Sequence, residues 1–353
     1  MKLVVEWRHR KSAAYDLEKN STARRVVQFD IWGQPVRVYA NANLSIYSAQ
    51  SCNARCRFCV EELRPASRGA ELAAQRTIEK DDTVYFGKLR HVLEVLRPLH
   101  PSVSITGGEP SLDPRLPAIL QITEQYNARK RTITTNGSGL LQVRDGKKVI
   151  DWICETRIRH LNISRAHADA SINARLMGLR DGLSYDELGS VIRRTRGTQT
   201  RPRLSCVLVR GAVESLADIL DYLEFAASLG VDNVIFRQLM KTDPQTVARN
   251  HVVRFSDASR VALEPLLEQI THDRRFRLQR QIVGYYYYVE VWRYFGMDVV
   301  FEEADLAQLE RAKQSDPGLI HELVYHPNGR LASTWQPWDG VLPEPNAGES
   351  KSL

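Results

Sequence analysis

At 353 residues, with 43% hydrophobic and 26% charged residues, the chain has an ordinary globular composition, enough for one large domain or a domain with an appendage. No run approaches the ~18 to 20 apolar residues of a membrane span, the opening Met1–Arg8 is too short in apolar residues for a signal peptide, and five cysteines without a secretory segment argue against a disulfide framework. A formal net charge of +7 and a pI near 9.2 favour anionic partners. The basic residues are nevertheless dispersed in short runs, such as Arg129-Lys130-Arg131 and Arg274-Arg275, and no nucleic-acid-binding motif accompanies them. The expectation is a cytoplasmic protein with no nucleic-acid or membrane partner, whose charge suits a phosphorylated or carboxylated small molecule.

Residues 1–43 show a hairpin, Arg25 to Ile31 and Val36 to Ala40, turned at Gly33-Gln34-Pro35. It reads as a lead-in to the first core strand, Leu44 to Ser48, which runs straight into Ser51-Cys52-Asn53-Ala54-Arg55-Cys56-Arg57-Phe58-Cys59. Three of the five cysteines fall within eight residues of this loop. Structural zinc takes four protein ligands, and the next cysteines, Cys154 and Cys206, are remote in sequence. A redox pair would need only Cys56 and Cys59 and would leave Cys52 without a purpose. Three thiolates on one loop suit an iron–sulfur cluster of four irons with one iron left open.

After a polar stretch at 64–69, a helical pattern spans Thr83 to Leu96 and is stopped by Pro98. A short strand, Ser102 to Thr106, follows and ends in Gly107-Gly108-Glu109-Pro110. Two glycines allow close backbone approach to a ligand, and the carboxylate can accept hydrogen bonds from an ammonium group. Further strands read at Arg131 to Thr135, His160 to Ser164, Arg203 to Val209 and Asn233 to Leu239. Helices read at Leu116 to Tyr126, Val149 to Glu155, Tyr185 to Arg194 and Ser215 to Leu229, the last with Ser215 and Asp218 as a capping pair. Six strands with intervening helices predict an α/β class and a parallel, right-handed array over 44–240. In the fourth strand, Asn162 and Ser164 alternate with Leu161 and Ile163, so the polar pair faces inward.

Beyond Lys241 the pattern changes to a helix near Ala258 to Ile270 and then β-rich sequence: Arg277 to Val283, Tyr285 to Tyr294, Asp298 to Phe301, and a hairpin around Pro327-Asn328-Gly329. This predicts a β-rich cap over 241–340 and a disordered tail over 341–353. No cysteine follows Cys206.

The cysteine spacing with Phe58 before the last cysteine, followed one βα unit later by Gly107-Gly108-Glu109-Pro110, resembles the radical S-adenosylmethionine (radical SAM) superfamily. The resemblance implies a six-stranded partial (β/α)6, TIM-like barrel and one [4Fe-4S] cluster on Cys52, Cys56 and Cys59. It also implies S-adenosyl-L-methionine chelated to the open iron, and a reducing partner such as flavodoxin or ferredoxin. The absence of late cysteines implies no auxiliary-cluster domain. By the same resemblance Phe58 lies against the adenine, Gly107, Gly108, Glu109 and Pro110 meet the methionine amino group, Ser164 meets its carboxylate or the ribose, and Ser205 faces the cofactor. Asn136, which a turn needs in any case, joins that set. Cys206 then points outward to the helices, as a small hydrophobe.

Arg165, His167, Arg237 and Gln238 stand at strand ends as substrate candidates, and Tyr286 and Tyr288 would face the substrate if the aromatic strand folds over the mouth. The expected reaction is hydrogen abstraction by a 5′-deoxyadenosyl radical from a small polar metabolite, such as a sugar, nucleoside or natural-product intermediate, leading to epimerisation, oxidation, elimination or rearrangement. The alternative is modification of a ribosomally made peptide, against which the ~43 residues before the first strand are few for a leader-recognition domain. A non-catalytic scaffold is the third reading, and the intact motifs speak against it.

Overall fold

The computed structural model describes residues 6–19, 26–48, 51–63, 78–245, 247, 249–284 and 286–344. The chain opens with helix α1 (Trp7–Lys19) and the hairpin of β1 (Val26–Ile31) and β2 (Gln34–Tyr39). Strands and helices then alternate: β3 (Asn43–Ser48), α2 (Asp82–Leu96), β4 (Ser102–Gly107), α3 (Leu116–Glu124), β5 (Lys130–Thr135), the small hairpin β6 (Val143–Arg144) and β7 (Lys147–Lys148), and α4 (Val149–Glu155). Next come β8 (His160–Ser164), α5 (Ala170–Met177), α6 (Tyr185–Thr195), β9 (Arg201–Leu208), α7 (Leu216–Ser228) and β10 (Asn233–Gln238). The remainder consists of α8 (His251–Ser259), α9 (Leu263–His272), β11 (Phe276–Val283), β12 (Tyr287–Tyr294), β13 (Met297–Ala304), α10 (Leu306–Ser315), β14 (Leu319–Ile320), β15 (Leu323–Tyr325) and β16 (Leu331–Ala332).

The six strands read from the sequence lie side by side in chain order, β3-β4-β5-β8-β9-β10, all parallel. Their alternation explains the layering. Leu161, Ile163, Leu204, Cys206, Val234 and Phe236 are buried in the main core, where the helices pack. The intervening residues, Asn162, Ser164, Arg203, Ser205 and Arg237, take the other face. That second face is polar along much of its width: Ser104 Oγ donates to Asn43 Oδ1 at 3.1 Å and lies 3.0 Å from Thr132 Oγ1, and Asn162 Nδ2 donates to Thr134 Oγ1 at 3.3 Å.

The segment after residue 241, expected to cap or extend the array, lengthens this sheet at both edges. β13 joins β10 in parallel and carries β12 and β11 antiparallel beyond it, while β15 joins β3 in parallel and carries β16, giving eleven strands among the described residues. The helix read at 258–270 is two helices. Arg260 breaks it, with an extended backbone and its guanidinium donating to the carbonyls of Leu239 at 2.9 Å and Met240 at 2.8 Å. The start of the expected tail is paired: Val341 bridges to Ala332, and Leu342 N donates to Leu331 O at 2.9 Å. The rest of the expected tail, 345–353, and the polar stretch at 64–69 lie outside the described residues. No helix among the described residues is long and apolar enough to cross a membrane.

Helix α1 was not foreseen. It docks on the far edge of the sheet: Trp7 is buried, Arg8 pairs with Glu264, and Lys11 Nζ lies 2.6 Å from Glu303. Its Arg10 lies 3.3 Å from the fully buried carboxylate of Glu290, which also accepts from Tyr288 Oη at 2.6 Å and Trp292 Nε1 at 2.9 Å. Removing the cation would leave that carboxylate buried without its counter-charge. Arg10→Ala should therefore destabilise the protein by about 3 kcal/mol, and adding Glu290→Gln should recover part of the loss. Denaturant midpoints of the three variants check both outcomes.

Candidate active site

The cysteine loop is positioned from two sides. On one side it is stitched to the C-terminal end of α5: Arg55 N donates to Met177 O at 3.0 Å and Arg57 N to Leu176 O at 3.2 Å. That helix is short but well capped, since Asp169 accepts from the amides of Ser171 and Ile172, each at 2.9 Å. It ends at Gly178 in the left-handed region, φ 55°, where a Cβ would stand 2.6 Å from Arg55 O. Only glycine permits the contact. On the other side, Asn136 Nδ2 donates to Asn53 Oδ1 at 2.8 Å and lies 3.8 Å from Cys52 Sγ, and Asn53 Nδ2 donates to Ser138 Oγ at 3.1 Å. Cys59 N donates to Cys56 O at 3.2 Å and leads into the 3₁₀ turn Val60–Leu63, which Asn250 clasps through Glu62 O at 2.6 Å.

The Gly107-Gly108-Glu109-Pro110 turn lies beside the loop. Gly107 has φ 121°, and a Cβ there would fall 2.5 Å from Ser48 N, so the ends of β3 and β4 close tightly. Glu109 is buried, and its carboxylate accepts from Ser111 N at 2.8 Å, Ser111 Oγ at 2.6 Å, Asn136 N at 2.6 Å and Thr135 Oγ1. Burial raises its pKa against the pull of those four hydrogen bonds. Its oxygens tie the turn after β4 to the turn after β5. Pro110 is buried at the start of the next 3₁₀ turn, so the glycine backbones are the more exposed part of the motif.

A cavity of about 360 Å³ opens against the loop. Cys56, Phe58 and Cys59 line it together with Thr134 of β5, Ser164 of β8, Ser205 of β9, Arg237 and Gln238 of β10, and Glu302 of β13, over an apolar remainder that includes Leu63, Met177 and Met240. Arg237 Nη1 donates to Ser205 Oγ at 3.3 Å, and its Nε lies 3.4 Å from Glu302. Gln238 Nε2 donates to Val261 O at 2.8 Å, while its Oε1 is buried with no hydrogen-bond partner.

Several residues expected at the mouth are elsewhere. Arg165 is buried, and its guanidinium donates to the carbonyls of His167 at 3.0 Å, Ala168 at 3.0 Å and Leu183 at 3.2 Å, bracing the turn after β8. His167 Nδ1 accepts from Asp169 N at 3.0 Å within the same turn. Tyr288 is committed to the Glu290 cluster, and Tyr286 lines a separate cavity with Lys11, Lys241 and Gln308. Cys206 points outward, fully buried, with Sγ donating to Ala166 O at 3.4 Å. Thr134 and Glu302 were missed; the first was readable from the parity of its strand, whereas the second requires the β13 pairing.

Burial, with the neighbouring thiols, pushes Cys56 up to about 12, and burial pushes Cys59 up to about 11. Among the described residues no three His, Cys, Asp or Glu side chains converge on a single-ion site. A cluster presents separate irons to its ligands and needs less convergence than one ion does. Three soft donors on one loop, with a polar cavity beside them, fit that group.

Among known proteins, the chain is 25% identical over 202 residues to a probable GTP 3′,8-cyclase of Thermococcus kodakarensis, covering 57% of each chain. In solved structures it is similar to Streptococcus suis SuiB bound to precursor peptide SuiA, with 16% identity, a TM-score of 0.51, and coverage of 96% of this chain and 66% of that one. A further match is coproporphyrinogen III oxidase (HemN) from Escherichia coli, described as a radical SAM enzyme, with 15% identity, a TM-score of 0.41, and coverage of 72% and 58%. No family model matches. The chain is thus similar to radical SAM enzymes. It spans less than two thirds of the cyclase and of SuiB.

Two outcomes follow. Replacing Cys52, Cys56 and Cys59 together with Ala should abolish the roughly four irons and four sulfides per chain that anaerobic reconstitution is expected to install; iron and sulfide assays check this. Cys206→Ser should lower the unfolding midpoint while leaving turnover per folded enzyme near normal. Formation of deoxyadenosine without product in that variant would instead give the thiol a role in chemistry.

Proposed function

We propose that this chain is a radical SAM enzyme acting on a small polar molecule in the cavity beside the cysteine loop. Cys52, Cys56 and Cys59 would hold one [4Fe-4S] cluster, and Phe58, the Gly107-Gly108 backbone, Ser164 and Ser205 would receive S-adenosylmethionine, while Glu109 and Asn136 hold that rim in place. When bound and reduced by a flavodoxin- or ferredoxin-type donor, this pair supplies a 5′-deoxyadenosyl radical for hydrogen abstraction. The six parallel strands β3 to β10 would curve as a partial barrel around it.

The observation that carries the reading is the cavity lining. Residues from the cysteine loop, β5, β8, β9, β10 and β13 meet in one compact space, with Ser164 and Ser205 in register on adjacent strands. Arg237, Glu302, Thr134 and Gln238 are the polar groups left to orient a substrate. Because Arg237 is paired with Glu302, the cavity asks for a polar substrate and does not require an anionic one. Apolar walls limit water where a carbon radical must be protected.

A peptide modifier would need an open groove or a free sheet edge. Among the described residues the cavity is lined by none of β11 or β12, the strands at the far edge, which supports the small substrate.

The test is anaerobic reconstitution followed by dithionite reduction with S-adenosylmethionine. Wild type should release 5′-deoxyadenosine. Arg237→Ala should retain that uncoupled cleavage but lose at least about tenfold in product formation once a substrate is found, the value of one charge-assisted contact. No deoxyadenosine from a fully loaded cluster would reject the enzymatic reading, and product from a peptide panel alone would replace the small-molecule one.

A further inference from the structure

At the opposite end of the polar face, where the strands begin, lies a second cavity of about 1030 Å³. The first turns of three parallel strands bring Lys130 of β5, His160 of β8 and Arg203 of β9 into its wall, with Arg159 and Arg280 also lining it. The carboxylates that reach it are already engaged. Glu124 pairs with Arg157 at 2.7 Å, Asp298 with Arg201 at 2.6 Å and Arg293 at 3.1 Å, and Glu302 with Arg237 at 3.4 Å.

What remains is uncompensated. Lys130, Arg159 and Arg280 make no ion pair among the described residues, Arg203 finds the amide oxygen of Asn233, and His160 Nδ1 is buried without a hydrogen-bond partner. Burial, reinforced by the surrounding arginines, pushes Lys130 down to about 8 and Arg203 down to about 10; burial, Arg203 and Lys130 together push His160 down to about 3. Each cation thus resists its charge in the folded state. A fold that leaves like charges facing one another in a partly desolvated space opposes its own stability, and a bound counter-charge relieves it.

The facing wall is different. Ile235, Val289, Val291 and Val300 form a separate apolar cluster against which Tyr287 packs, and all five line the same cavity. The space is therefore cationic on one side and apolar with an aromatic ring on the other.

We propose that this cavity binds a small phosphorylated organic molecule carrying at least two phosphate groups, with the phosphates against Lys130 and Arg203 and its ring against Tyr287 and the valine wall. Arginine forks and a lysine ammonium are the standard partners of phosphate oxygens. A cavity of this volume holds a ligand of several hundred Å³. The site is distinct from the cavity beside the cysteine loop, although Glu302 lines both.

The experiment is calorimetry and thermal unfolding of the full chain with ADP and with inorganic pyrophosphate at fixed ionic strength, readouts that do not depend on radical chemistry. ADP should raise the unfolding temperature and bind roughly tenfold tighter than pyrophosphate, a margin that Tyr287→Ala removes. Lys130→Gln with Arg203→Gln should weaken both probes by at least about a hundredfold. Arg90→Gln, on the exposed face of α2, should change neither. Without ligand, the double variant should unfold at or above the wild-type temperature, because it removes self-repelling charge. Absence of binding by either probe, equal binding in the double variant, or a ligand-free double variant that unfolds well below wild type would overturn the proposal. So would a single-stranded oligonucleotide that binds more tightly than ADP with the same dependence on Lys130 and Arg203.

Discussion

The whole molecule rests on the two-residue alternation of its parallel strands. A parallel strand covered by helices on one face must bury every second side chain there, which is what Leu161, Ile163, Leu204 and Cys206 do. The residues between them are then committed to the other face, free of the need to be apolar. That freedom is what allows Asn162, Ser164, Arg203, Ser205 and Arg237 to exist inside a folded sheet at all. The cavity beside the cysteine loop and the basic cavity at the strand origins are two ends of this one polar face.

Between the two ends stands an ion pair. Arg237 of β10 and Glu302 of β13 are in register on neighbouring strands, 3.4 Å apart, and Glu302 contributes to both cavity walls. Each charge is the other's compensation for partial burial, so neither can be lost without exposing the other. The pair makes the polar face continuous in structure while dividing it in chemistry: serines, a threonine and thiols above, lysine, histidine and arginines below.

The core and the motif-bearing loops were legible because their signals are local. The first strands followed from alternation, α2 from its helical pattern and the stop at Pro98, α7 from its capping pair, and the cysteine loop from its spacing. Ser164, read from the parity of its strand, and Ser205, read from the resemblance, both line the cavity beside the cysteine loop. The failures are cases where tertiary partners, near or far in sequence, decide where a side chain goes. Arg165 reads as a strand-end cation, yet three backbone carbonyls from two later turns take its donors. Tyr288 reads as half of an aromatic face, yet Arg10 and Glu290 fix it. Glu302 is an unremarkable acid in a β-rich stretch until β13 is paired with β10. Helix α5 had readable ends in Asp169 and Gly178, but its short length gave the periodicity too little to show, and its role as the clamp on the cysteine loop depends on backbone contacts that no side-chain pattern announces.

The placement of β15 carries a consequence for how the chain is built. As a nascent chain emerges, β4 can pair with β3 early, and each later parallel strand adds to the growing side. The other side of β3 stays unpaired until Leu323–Tyr325 arrives, after every strand of the parallel array has been made. Until then an open backbone edge borders the strand that feeds directly into the cysteine loop. Such an edge is a template for unwanted strand addition between chains. The late segment is consequently a safeguard of assembly: its three residues close the edge on which ordered presentation of the thiols depends, long after the helices that flank them have packed.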